Sequence, residues 1–180
     1  MSATAWYVAR SSGIVAYLLL SSSVVLGALM AGRTVFTWPR FAVEEVHRFL
    51  ALLAGVFIAV HGLALLLDTV VPISLLQVLV PFSSPYRPFA VGLGVLAAEL
   101  LATVGITNHY RSRIPHTLWR RAHYLTLAVW GLATVHGFLA GTDRLDPWFA
   151  GIAAATVSSV ALVLITRFSP GNRSKDGVAA

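Results

Sequence analysis

The residues best suited to chemistry in this chain are its histidines. Six are present, and there is no cysteine. Four of the six, His47, His61, His123 and His136, sit in long apolar stretches. His47 and His61 are 14 residues apart, and His123 and His136 are 13 apart. On an α-helix these spacings correspond to about 21 and 20 Å along the axis. Neutral imidazole is a good ligand for haem iron. Two imidazoles from facing helices fill both axial positions, which leaves an iron that exchanges electrons and does not readily bind substrate. The lack of cysteine excludes disulfides, iron–sulfur clusters, thiolate-ligated haem and covalently attached c-type haem.

The elements that must position these histidines follow from composition. Of the 180 residues, 57% are hydrophobic and only 11% charged, where a soluble domain is about a quarter charged. A bilayer core takes about 20 apolar residues per helix. Five segments qualify, near 13–30, 43–67, 89–107, 118–140 and 148–165. The expected fold is therefore all-α, an integral membrane bundle of five transmembrane helices in a multi-pass protein of the cell membrane. Residues 1–168 form one domain, and residues 169–180 read as a disordered cytoplasmic tail. The stretch 70–81 is apolar but too short to span, and Pro72 and Pro81 bracket it. It reads as a short interfacial helix. The first apolar run has no small-residue cleavage pattern and reads as a retained helix.

Charge orients the bundle. The net charge of +6 needs no nucleic acid to explain it. Arg33, Arg40, Arg48, Arg111, Arg113, Arg120, Arg121, Arg167, Arg173 and Lys175 fall on one side, 10 of the 13 basic residues. Arg10, Arg87 and Arg144 fall on the other, with Asp68, Asp143 and Asp146. The positive-inside rule puts the N-terminus outside and the C-terminus in the cytoplasm. The second and fourth spans then run in the same direction. His47 lies level with His123 toward the cytoplasm, and His61 lies level with His136 toward the outside. Fourteen residues are about 3.9 turns, so His47 and His61 share a face. Thirteen are about 3.6 turns, so His123 and His136 diverge by well over about 90°. Either the ring rotamers and a twist in the bundle absorb that, or the fourth span is locally distorted, which Gly131 would permit. Gly62 and Gly137 follow two of the ligands, and Gly55 and Gly131 lie between the paired histidines, where a porphyrin edge needs room.

A single histidine in a membrane helix is more often a packing residue or part of a proton path. Four in two matched pairs favour ligation. The different-class alternative is a non-redox transporter of a metal ion or proton. It would want acidic partners, and Glu99 is the one acid well inside a span.

The segments His47-Arg48-Phe49-Leu50 to His61-Gly62 and Trp119-Arg120-Arg121-Ala122-His123-Tyr124 to His136-Gly137 resemble the ferric reductase-like transmembrane domain. That superfamily includes ferric reductases, NADPH oxidases and the haem subunit of the methionine sulfoxide reductase system. The similarity covers residues 43–168. It implies two b-type haems, His47 and His123 holding the inner iron and His61 and His136 the outer. It also implies electron flow outward from a cytoplasmic donor. The chain ends within about 15 residues of the last helix and has no Gly-rich dinucleotide fingerprint. No flavin or nicotinamide site is expected, so a separate donor flavoprotein or quinol must supply electrons to an extracytoplasmic acceptor. The chain is then an oxidoreductase or electron-transfer subunit without its own FAD/NADPH domain. An alternative within the resemblance is a haem subunit serving an extracytoplasmic methionine sulfoxide reductase.

Further residues are candidates for the haem propionates. Arg48 and Arg120 lie beside or three residues from an inner ligand, and a guanidinium binds carboxylates through a planar fork. Arg87 and Tyr86 are the outer candidates, with a helix-entry turn at Pro88 as the plainer reading. His109 and His116 read as solvated loop residues. Trp130 lies between the two histidine levels, whereas Trp6, Trp38, Trp119 and Trp148 fall near helix ends, as interfacial anchors do.

Overall fold

Long runs of Leu, Val and Ala, punctuated by prolines, dictate where helices begin and end. The computed structural model describes residues 2–31, 37–69, 71–143 and 146–168. These form α1 (Ser2–Ala31), α2 (Arg40–Leu66), a short α3 (Leu75–Leu79), α4 (Pro88–His109), α5 (His116–Ala140) and α6 (Pro147–Phe168). Arg33, Arg144 and the tail from residue 169 lie outside the described residues. Pro39 and Pro115 cap α2 and α5, and Pro88 and Pro147 open α4 and α6. A proline there costs no hydrogen bond, because the first N–H groups of a helix have no intrahelical acceptor. α3 starts with a reciprocal capping box between Ser74 and Gln77.

Among the described residues the fold is all-helical, and four helices, α1, α2, α4 and α6, are long and apolar enough to cross a bilayer. α5 has 25 residues but is less apolar, because Arg120, Arg121, His123 and His136 lie along it.

α1 extends to Ser2, well before the residue 13 expected, and carries Arg10 on its first turns. α3 occupies only the centre of the 70–81 stretch. His109 lies in the last turn of α4 and not in a loop. α5 is one continuous helix through Gly131.

α1 is the organising element. α2 packs along its length, α5 and α6 also touch it, and α4 packs along α5. α2 and α5 do not pack along one another. One buried layer draws on all five long helices: Leu20 and Val24, Ala54, Ala97, Val129 and Val160. Ala54 lies midway between His47 and His61, and Val129 midway between His123 and His136. The layer therefore separates the two histidine levels. Beside it a polar chain links three helices. Trp130 Nε1 donates to Ser21 Oγ at 3.0 Å, Thr134 Oγ1 donates to Tyr17 Oη at 3.2 Å, and Tyr17 Oη meets Thr156 Oγ1 at 2.9 Å. Such interhelical bonds supply association where lipid removes the hydrophobic drive.

The N-terminal end of α1 is tied to the α5–α6 turn by charge. Arg10 pairs with Asp143, and its guanidinium lies over Trp6 at 5.2 Å and Trp148 at 5.6 Å. Arg10→Ala removes the ion pair and both ring contacts and is expected to cost about 1–2 kcal/mol. Thermal unfolding in detergent measures this, and Arg10→Lys should recover only part of the loss.

Candidate functional site

The four histidines meet as two pairs. The ring centroids of His47 and His123 are 6.1 Å apart and the planes cross at 64°. Those of His61 and His136 are 6.3 Å apart and cross at 83°. α2 and α5 therefore run in the same direction, with each pair bridging the space between two helices that do not pack. A metal–imidazole bond of about 2.0 Å on each side, plus roughly 1.1 Å from nitrogen to ring centre, separates trans imidazole centroids by about 6.2 Å. Both pairs sit at that separation.

The rings are aimed by the backbones of neighbouring helices. His61 Nδ1 donates to the Ala9 carbonyl at 2.7 Å, and His47 Nδ1 donates to the Ser23 carbonyl at 2.9 Å, with Ser23 Oγ 3.1 Å away. His136 Nδ1 donates to the Ala90 carbonyl at 2.7 Å. A carbonyl can only accept, so Nδ1 carries the hydrogen and Nε2 keeps its lone pair for a metal.

Each of these carbonyls lies four residues before a glycine: Gly13, Gly27 and Gly94. A Cβ at Gly13 would come within 3.1 Å of His61 Nδ1, and one at Gly27 within 3.1 Å of His47 Cε1. At Gly94 it would reach 2.7 Å from His136 Nδ1. The missing side chains are what let the imidazoles reach the main chain. Gly13 and Gly27 are 14 residues apart, the same interval as His47 and His61, so α1 matches α2 in antiparallel register.

His123 is the exception. Its Nδ1 is buried and is the one buried side-chain nitrogen or oxygen without a hydrogen-bond partner among the described residues. Thirteen residues rotate a helix about 140° away from registry, so His123 leaves the face on which His136 meets α4. Trp119 holds its ring instead, stacked at 5.5 Å with planes 26° apart, and Trp119 Nε1 donates to Asn108 Oδ1 at 3.4 Å.

The other expected residues are placed as follows. Arg48 is exposed and pairs with Glu45 one turn away. Arg120 is exposed near the start of α5. Arg87, in the left-handed region at φ 42°, donates to the Leu139 and Ala140 carbonyls at 2.9 and 3.3 Å and closes the C-terminus of α5. The Tyr86 ring lies 5.6 Å from the Arg87 guanidinium. Glu99 is exposed on α4. The glycines singled out from sequence for room beside a porphyrin are not the ones that form the imidazole cradle. Gly62 and Gly137 make ordinary contacts, with Val78 and Phe149, and Gly55 and Gly131 have no atom within 4 Å of a built Cβ beyond their own surroundings. The repeat of 14 residues between Gly13 and Gly27 was the available signal for the residues that do form it.

Among the described residues no group of three or more His, Cys, Asp or Glu side chains could hold a metal. Each level offers two nitrogens only. That donor set suits a metal bringing its own equatorial ligands, as a porphyrin does, and the residues present fit such a group. No family model, curated protein or solved structure matches the chain.

Gly94→Ala should push His136 off the Ala90 carbonyl and cost about 1–3 kcal/mol of stability. Gly105→Ala, also on α4 but with open space around the new methyl, should be neutral or slightly stabilising. Detergent melting curves of the two variants make the comparison.

Proposed function

We propose that this chain carries electrons across the cell membrane through two b-type haems, one between His47 and His123 and one between His61 and His136, as in the ferric reductase-like domain that it resembles. The observation that carries the reading is the pair of imidazole–imidazole separations, 6.1 and 6.3 Å, at two levels of one bundle. Bound haem supplies a one-electron couple at each level. The four histidines would hold the irons, two imidazoles at each level. The Nδ1 bonds of His47, His61 and His136 fix tautomer and ring orientation and raise ligand basicity. The buried layer at Leu20, Val24, Ala54, Ala97, Val129 and Val160 insulates one level from the other.

In this reading α5 is a fifth span, with His123 and His136 toward the haems and Arg120 and Arg121 at its cytoplasmic end. Arg40, Arg48, Arg111, Arg113, Arg120, Arg121 and Arg167 mark the cytoplasmic end, which puts the N-terminus outside. A separate flavoprotein or quinol delivers electrons to the His47–His123 level. They leave from the His61–His136 level to an extracytoplasmic acceptor. A metal-ion transporter is less well served by this geometry, because among the described residues no third His, Cys, Asp or Glu joins either pair.

Purified protein should show the sharp reduced-minus-oxidised bands of b-type haem, with two haems per chain by pyridine haemochrome assay. His61→Ala and His136→Ala should each bring the count to one. A colourless protein, or a count unmoved by both substitutions, would discard the two-haem reading.

A further inference from the structure

The two levels are built unequally, and the difference has a chemical consequence. Resting on the two-haem reading above, we propose that His123 is the displaceable ligand, so that the His47–His123 level opens to a small neutral ligand while the His61–His136 level stays closed.

Three of the four ligands are anchored twice, once by their own helix and once by a main-chain carbonyl of a neighbour. The carbonyl bond strengthens the imidazole as a donor and prevents the ring from swinging. His61 and His136 both have it, so their level is held from both sides. At the other level only His47 has it. His123 keeps a buried Nδ1 with no partner among the described residues, and its ring is held through the face of Trp119. Stacking fixes the ring plane but adds no electron density through Nδ1. Loss of such an outer partner weakens metal binding by about 10–100-fold.

The cause lies in helical geometry. The 14-residue repeat on α2 keeps both histidines facing α1, where a matching glycine repeat uncovers two carbonyls. The 13-residue interval on α5 leaves room for one such arrangement against α4, at Gly94. His123 also lies only two turns into α5, with the exposed Leu118, Arg120, Arg121 and Tyr124 around it, so a small ligand has a short path. When such a ligand enters, the bond from His123 Nε2 to iron breaks and one bond from iron to the incoming ligand forms. No electron is transferred, and His123 remains neutral.

Carbon monoxide tests this on the full-length, haem-loaded, dithionite-reduced protein. The expected result is one carbon monoxide per chain, seen as a partial Soret shift. Trp119→Ala should tighten binding about 10-fold by freeing the His123 ring. Trp119→Phe keeps the stack and should behave like the unsubstituted protein. No carbon monoxide uptake by a protein containing two haems would overturn this proposal and leave the two-haem reading intact. So would two per chain, or uptake indifferent to Trp119→Ala. A protein that purifies without haem would remove both. Should Trp119→Ala not fold, the stoichiometry of the unsubstituted protein still decides.

Discussion

An imidazole inside an apolar bundle must bond through one nitrogen before the other can do anything useful. A polar atom buried without a partner costs roughly 1–3 kcal/mol, and lipid offers no water to relieve it. This chain meets the requirement with main-chain carbonyls that are already engaged in their own helices. A helical carbonyl has a second lone pair, and it becomes reachable when the residue one turn later has no side chain. Gly13, Gly27 and Gly94 provide that access. From this follow the tautomer of the three bonded histidines, the direction of their Nε2 atoms and the facing of the pairs.

The same constraint explains why α1 holds the centre of the bundle. It carries two of the three glycine openings, supplies Leu20 and Val24 to the buried layer, and bonds to α5 and α6 through Ser21 and Tyr17. Its serines turn their hydroxyls back onto the preceding turn, as Ser12 does to Val8 and Ser21 to Tyr17 at 2.8 Å, so the helix stays satisfied in apolar surroundings. α1 holds α2, α4 packs on α5, and the histidines reach across the space left between α2 and α5.

Arg87 shows how a residue can serve the site without touching it. Its guanidinium occupies the last carbonyls of α5, within a turn of His136. A cation there also suits the negative end of the helix. Arg10 does similar work at the same end of the bundle, joining α1 to the turn before α6 through Asp143 and two indole rings. These contacts fix where helices end, and therefore the height at which each histidine sits.

Much of this was legible in the residues alone. Apolar runs separated by prolines determined the long helices, because backbone groups in lipid must bond within their own segment. The near-equal intervals between His47 and His61 and between His123 and His136 determined which histidines pair, because a helix converts residue number into height. Height does not settle rotation, and there the reading stopped. Gly131 was one candidate for relief on α5; the helix continues through it, and His123 keeps a ring nitrogen with no partner among the described residues. Gly62 and Gly137 stand beside ligands in sequence, whereas the glycines that open carbonyls to the imidazoles lie on other helices. A cradle between helices depends on register and crossing, which are set by packing across the whole bundle. Only the tertiary structure could decide that Gly13 faces His61, Gly27 faces His47 and Gly94 faces His136, and that no glycine among the described residues does the same for His123.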